Sequence, residues 1–353
     1  MLAGVVGPSV GLMAVVKADA YGHGAVAVAR ALERKVWGFA VSLVEEGIEL
    51  RRGGVQAPII VLGSFYGWSH RDVVAYQLTP VVSDEEDLGK FARAAEDVGA
   101  ARVGVHLKID TGMSRLGLRP ELLASFVDRL SKSPRVELEG VCSHLADADG
   151  ADDRPTAEQL ATFERCVREL AALGVRPTVV HVANSAGTVR FRGARFDLVR
   201  PGLALYGCSP TSFASIAGLT PAMTIKSKIV SLRQLPAGTP VSYSGLYKTS
   251  APSVIATVPI GYADGYTRRL TGKAEVLVGG TRAPVVGAIT MDMCMVDVTR
   301  APASLGDEVV LLGAQGQERI TADDLARWSN TIAYEIFSGI SKRVPRVYTG
   351  DRP

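Results

Sequence analysis

Cysteine is scarce: four residues in 353, at Cys142, Cys166, Cys208 and Cys294. None forms a Cys-x-x-Cys pair, and three lie inside apolar runs. That pattern excludes a disulfide framework and gives no zinc spacing, so buried thiols in a reducing compartment are expected. An excess of one charge is also missing. Lys and Arg number 39 and Asp and Glu 36, for a net charge of +3. No basic block stands out, so neither nucleic acid nor an anionic membrane is an expected partner. No uninterrupted apolar stretch is long enough to span a bilayer. The N-terminus is apolar but lacks a basic leader, and Gly and Pro interrupt it. It reads as a short coil and a buried strand, not a signal peptide, in a soluble, cytoplasmic protein. No Gly-x-Ser-x-Gly elbow, metal-ligand spacing, internal repeat or low-complexity segment is present.

What is present is a globular mix, 47% hydrophobic and 21% charged, in a chain long enough for a barrel and a second unit. Short apolar runs predict strands at 12–17, 37–42, 58–63, 78–82, 102–110, 136–144, 178–184 and 196–200. Helical patterns lie between them. At 157–173, Leu160, Phe163, Val167 and Leu170 recur at helical spacing and Gly174 follows as a cap. At 42–54 an acidic first turn precedes Gly53 and Gly54. Alternating strands and helices imply parallel βαβ units, and eight of them fit a closed (β/α)8 TIM-type barrel, assigned to residues 1–215. From 216 to 353 the texture becomes β-rich, with Gly, Pro and Ser turns. A mostly antiparallel second domain with one helix at 321–328 is expected there.

Barrel active sites lie where strands end. Strand 1 ends in Lys17, followed by Asp19, Tyr21 and His23. Strand 5 offers Lys108, Asp110 and Arg115, and strand 6 ends in His144. Strand 7 carries His181, Asn184 and Ser185, and strand 8 ends in Arg200, then Gly202 and Leu203. A strand-end Lys or His is ordinarily a solvated or satisfied group. Convergence from five strands is what points to chemistry. Ser185, opening a short helix, and Gly202 suit an anion cradle after strands 7 and 8. A phosphorylated aldehyde cofactor would place its phosphate there and its carbonyl at Lys17. Schiff-base chemistry needs a lysine whose pKa is lowered by burial and cationic neighbours.

The segments AVVKADAYGHG, HLKIDTGMSRLG, GVCSHLADAD, HVANSAG, LVRPGLALYG, PIGYADGY, GAITMDMCMVDV and TIAYEI occur in this order. Together they resemble the motifs of the alanine racemases, over nearly the whole chain from residue 11. The resemblance implies interconversion of L- and D-alanine with pyridoxal 5'-phosphate, supplying D-alanine for cell-wall peptidoglycan. It implies Lys17 as cofactor attachment and one catalytic base. It implies Tyr262 as the opposing base, supplied by the partner of a homodimer with shared active sites. Arg200 is implied at the pyridine nitrogen. Tyr21, Ser185, Gly202, Leu203 and Tyr334 are implied at the phosphate, with His144 and Asn184 also among the cofactor residues. Arg115 would meet the cofactor's phenolic oxygen and the substrate carboxylate. Lys108 matches a carbamylated position. His144 would sit against Tyr262, and His181 would support Arg200 from behind. Met291 and Asp292, again from the partner, would help bind the small amino-acid substrate. Sixteen residues precede Lys17, fewer than the family carries, so a strand that joins the second domain is expected to be missing or short.

The implied roles agree with physical expectation. Two bases on opposite faces remove and return a proton without the substrate turning over. Lys and Tyr both ionise near pH 10, so nearby cations such as Arg115, Arg200 or a charged His144 would assist them. An always-charged Arg keeps the ring nitrogen unprotonated, which disfavours transamination. Rival readings are a non-catalytic cofactor-binding protein, a decarboxylase of the related two-domain fold, and a serine or broad-specificity racemase. Tyr262, Met291, Asp292 and Tyr334 argue against the first, and Arg200 against the second. Lys108 pairing simply with Asp110 also remains open.

Overall fold

The computed structural model describes residues 1–63, 65, 69–210, 216 and 218–350. The chain forms two compact units. The first comprises Met1–Ala20 and Gly24–Thr220; the second comprises Tyr21–His23 and the chain from Pro221 onward. The boundary expected at residue 215 lies outside the described residues.

The first unit is a closed barrel of eight parallel strands in chain order. They are β1 (Gly11–Val15), β2 (Gly38–Val41), β3 (Ile59–Val61), β4 (Thr79–Val82), β5 (Val103–Lys108), β6 (Val136–Cys142), β7 (Val179–His181) and β8 (Leu198–Val199). β8 pairs back onto β1 through Gly11 with Leu198 and Leu12 with Val199. Every residue of β2 and β3 is buried, as expected of strands covered on both faces. The helix expected at 157–173 spans Arg154–Ala172, with Pro in its first turn and Phe163, Cys166 and Leu170 buried. Leu160 and Val167 lie at the edges of that stripe. All four cysteines are free and buried.

The expected N-terminal coil is instead a helix, Leu2–Val6. Leu2 and Val6 stand one turn apart and are buried, and Leu2 packs with Ala204 and Ile216. Gly4, Gly7 and Pro8 suggested coil, but burial of this apolar face outweighs the weak propensity.

The second unit is antiparallel. Its strands are β9 (Ile225–Lys228), β10 (Ser231–Leu235), β11 (Pro240–Val241), β12 (Tyr247–Lys248), β13 (Ser253–Val258), β14 (Glu275–Val278), β15 (Thr281–Val286), β16 (Cys294–Asp297), β17 (Glu308–Gln315) and β18 (Glu318–Ile320). The main sheet runs β10-β13-β16-β15-β14-β17-β18, with β9 also on β17, and β11 and β12 form a separate ribbon. The run 222–235, read as continuous, breaks after Lys228, because β9 pairs with β17 and β10 with β13. The expected helix spans Ala322–Ser329, closed at its start by reciprocal bonds between Thr321 and Asp324. A second, six-residue helix, Ala333–Ser338, was not expected. Among the described residues no helix is long and apolar enough to cross a membrane.

Candidate active site

The barrel strand ends surround a cavity of about 350 Å³. Lys17, Lys108, Arg115, His144 and Arg200 all line it, with Ser42, Cys142 and Ser143. Five of the expected residues therefore meet in one place. The lining holds four cationic side chains and no carboxylate. Such a cavity is electrostatically prepared for an anionic guest.

Lys17 opens an unusual turn. Ala18, Asp19, Ala20 and Tyr21 all have φ between 51° and 54°, the left-handed helical region. None is glycine, and each such residue costs about 1–2 kcal/mol. Two carboxylates hold the turn. Glu46 accepts from the backbone N–H of Ala18 at 2.6 Å, and its other oxygen accepts from Ser42 and Leu43. Asp19 accepts from the Ala25 N–H at 2.9 Å. Asp19 thus serves the backbone, and so does Asp110, whose Oδ1 accepts from the N–H groups of Gly112, Met113 and Ser114. Burial, then the Arg115 charge, lowers the Lys17 pKa, with Glu46 opposing.

Lys108 is buried and its pKa is lowered, chiefly by burial. No carboxylate lies within ion-pair distance of it among the described residues, so the simple pairing with Asp110 does not form. Arg200 is buried and donates only to neutral groups. Its partners are His181 Nδ1 at 2.5 Å, the carbonyls of Ser143 at 2.7 Å and Val182 at 3.0 Å, and His144 Nδ1 at 3.3 Å. Arginine can only donate, so His181 Nδ1 accepts. The neutral His181 then carries its proton on Nε2 and donates to His106 Nδ1 at 2.8 Å. His106 was not singled out from the sequence, since a lone histidine inside an apolar strand reads as core.

The expected charged His144 is corrected. Burial, with Arg200, Lys108, Arg115 and Lys17 around it, holds its pKa down to about 3. It is therefore neutral at ordinary pH. Burial and Arg200 likewise hold His106 down to about 4. His181 is pushed well below its usual value by burial first and then Arg200.

The Asn184 side chain accepts from Gly187 N at 2.9 Å and caps the helix Ser185–Arg190. Ser185 Oγ accepts from the N–H groups of Gly202 at 2.8 Å and Ala204 at 3.3 Å. That leaves its hydroxyl hydrogen to donate elsewhere. Leu203 begins the short helical turn Leu203–Tyr206, and the Tyr206 hydroxyl donates to the Val15 carbonyl.

The remaining expected residues belong to the second unit. Tyr21 and Tyr334 face each other with ring centroids 5.8 Å apart. Burial, then Tyr334, raises the Tyr21 pKa. His23 packs against Phe337 and contacts the Tyr21 carbonyl, so it does not join the barrel cavity as expected. Tyr262 opens a short helical turn, Tyr262–Asp264, and is exposed. The N–H groups of Tyr262 and Ala263 donate to the carbonyls of Thr290 and Met291 at 3.0 and 3.1 Å. Met291 and Asp292 are exposed beside that turn.

A closed parallel barrel with a cationic cavity around a strand-end lysine, followed by an antiparallel unit, defines a two-domain barrel-fold protein with a cavity prepared for an anionic guest. The family model for the alanine racemase N-terminal domain matches residues 1–210, and that for the alanine racemase C-terminal domain matches residues 222–348. The chain belongs to the alanine racemase family. It is 45% identical over 345 residues to an alanine racemase of Sorangium cellulosum, covering 95% of this chain and 90% of that protein. It is 46% identical over 344 residues to one from Symbiobacterium thermophilum, covering 96% and 91%. Among solved structures it is similar to alanine racemase from Streptomyces lavendulae, with a TM-score of 0.94, 38% identity, and 99% and 93% coverage.

Proposed function

We propose that this chain interconverts L- and D-alanine with pyridoxal 5'-phosphate, using Lys17 and Tyr262 as the two bases. The observation that carries this reading is the cavity with four cations, no carboxylate, and a lysine of lowered pKa. That donor set fits an anionic carbonyl cofactor. Lys17 would hold it covalently, Tyr21, Ser185, Gly202, Leu203 and Tyr334 would hold its phosphate, and Arg200 would face its ring nitrogen. When bound, the cofactor supplies an electron sink that acidifies the substrate α-hydrogen.

Lys17 is positioned as base by the Glu46-braced turn, and its lowered pKa raises the fraction of free amine near neutral pH. Arg115 supplies charge for the substrate carboxylate, and Met291 and Asp292 act on substrate through their backbone position. Arg200 stays protonated, so it would donate a hydrogen bond to the ring nitrogen without giving up its proton. Neutral His144 is available to a tyrosine hydroxyl by hydrogen bonding. Lys108, buried without a carboxylate partner, suits reaction of its neutral amine with carbon dioxide, giving an anion for Arg115. We assign the cofactor to the barrel, residues 1–215, and service of the partner's site in a homodimer to residues 216–353. Four free, buried thiols suit a reducing compartment such as the cytoplasm, where the product D-alanine would supply peptidoglycan.

Subunit mixing tests the reading. Lys17→Ala and Tyr262→Phe homodimers should each be nearly inactive. Co-expressed at random, they form half mixed dimers, each with one intact site, so about one quarter of the activity returns. Activity is followed as D/L exchange on alanine, with serine and lysine alongside. Absence of rescue in confirmed mixed dimers rejects the shared site. Full activity in Lys17→Ala rejects the mechanism.

A further inference from the structure

The second unit contains an ion-pair bridge that none of the roles above uses. Arg343 sends Nε to Asp264 Oδ1 and Nη2 to Asp292 Oδ1, each at 2.7 Å. The two carboxylates differ in setting. Asp264 is buried, whereas Asp292 is exposed. The other oxygen of Asp264 accepts from the Gly261 N–H at 2.8 Å, and its carbonyl accepts from Ser341 N at 3.1 Å. Asp264 closes the turn that Tyr262 opens, and Asp292 follows Met291. The backbones of those two segments already touch through Tyr262 N to Thr290 O and Ala263 N to Met291 O. A side chain at Gly261 would lie 2.3 Å from the carbonyl oxygens of Thr290 and Met291, so the contact is tight. Gly265, at φ 101°, likewise leaves no room beside the Gly339 carbonyl.

We propose that Arg343 is a positioning residue for Tyr262. Its planar fork locks the Tyr262–Asp264 turn to the Met291–Asp292 segment, fixing where the phenol stands. The rigid arginine fork presents Nε and Nη2 to the two carboxylates in a fixed plane, whereas a lysine ammonium offers no such fork. The same bridge engages the Asp292 carboxylate and leaves that residue its backbone for substrate. The proposal rests on the reading of Tyr262 as one of two bases.

The test uses the holoenzyme with Arg343→Met and Arg343→Lys. In Arg343→Met, kcat should fall on the order of 10–100-fold, because a base displaced by a fraction of an ångström loses its reactive alignment. With substrate deuterated at the α-carbon, the isotope effect should rise for the enantiomer that Tyr262 deprotonates and stay unchanged for the other. Amide exchange at Tyr262 and Ala263 should quicken about tenfold in cofactor-free protein, with the β13–β16 amides unchanged. Arg343→Lys should recover part of each effect. An equal rise in both isotope effects, unchanged exchange at Tyr262 and Ala263, or a kcat within about twofold of the parent would each overturn the proposal. If Arg343→Met does not fold, Arg343→Lys carries the same readouts at smaller amplitude. Exchange judges the lock and Tyr262→Phe judges the base, so the two ideas fail separately.

Discussion

The two units treat positive charge in opposite ways. In the barrel, Arg200 is buried among two histidine rings and backbone carbonyls, and Lys108 is buried with no carboxylate at ion-pair distance among the described residues. In the second unit, Arg343 is half-exposed and spans two carboxylates. A cation without a counter-ion is held ready for a guest anion, whereas a cation with two is a structural brace. Burial sets the chemistry of the first and geometry sets the second. The difference also explains the histidines. Burial first, and then the cations beside them, hold His106 and His144 below the usual imidazole range.

Changing the sign of the barrel charge should break the contrast most severely. Arg200→Glu is expected to slow racemisation about 100-fold, as loss of a preorganised donor does. Pyruvate should also form from alanine, because the new carboxylate would favour a protonated ring nitrogen. Rates are to be scaled to cofactor-loaded, folded protein, since the Ser143 and Val182 carbonyls lose their donor. Normal racemisation without pyruvate would remove Arg200 from the account.

Acid sharpens the comparison. His106 and His144 have native pKa values near 4 and 3, against a usual 6.5. The unfolded chain therefore binds protons more tightly. Stability is full above pH 6.5 and declines as pH falls toward the native values, by about 1.4 kcal/mol per pH unit for each such histidine. His181 shifts in the same direction. The second unit contains one histidine, His23. Amide exchange in cofactor-free protein between pH 7 and 5, corrected for intrinsic rates, should show β5 losing protection faster than β16. Equal losses in the two would mean that the barrel histidines are not the cause.

A smaller effect separates strain from charge. Glu46→Ala removes the acceptor for three backbone N–H groups and should cost about 1–3 kcal/mol, measured by urea unfolding. Its larger signature should be reduced cofactor occupancy, since the left-handed turn after Lys17 loses its brace. Unchanged stability and occupancy would show that the turn holds by itself.

The barrel and the lining of its cavity were legible because both follow from local pattern. Apolar runs mark the strands, and the residues just after them mark the mouth. What was not legible depends on partners distant in sequence. Glu46 bonds Ala18 across 28 positions. Arg343 sits in an ordinary basic stretch, SKRVPR, and bonds Asp264 across 79 positions. The left-handed turn has no glycine to announce it. The charge on His144 was misjudged because desolvation and four cations act together only after folding. The helix Ala333–Ser338, at six residues, is too short for periodicity to register.

Tyr21–His23 fold with the chain from Pro221 onward, although 197 residues separate them from it. For recombination, then, the gene does not encode two exchangeable cassettes. Arg346 donates to the Gly22 carbonyl, Tyr348 donates to the His23 carbonyl, and Phe337 packs on His23. A crossover near residue 210 that brought in a foreign C-terminal half would inherit those donors matched to another chain's first loop. Chimaeras should therefore tolerate exchange only when the tripeptide after the lysine turn travels with the distal half, and descent should keep the two stretches together.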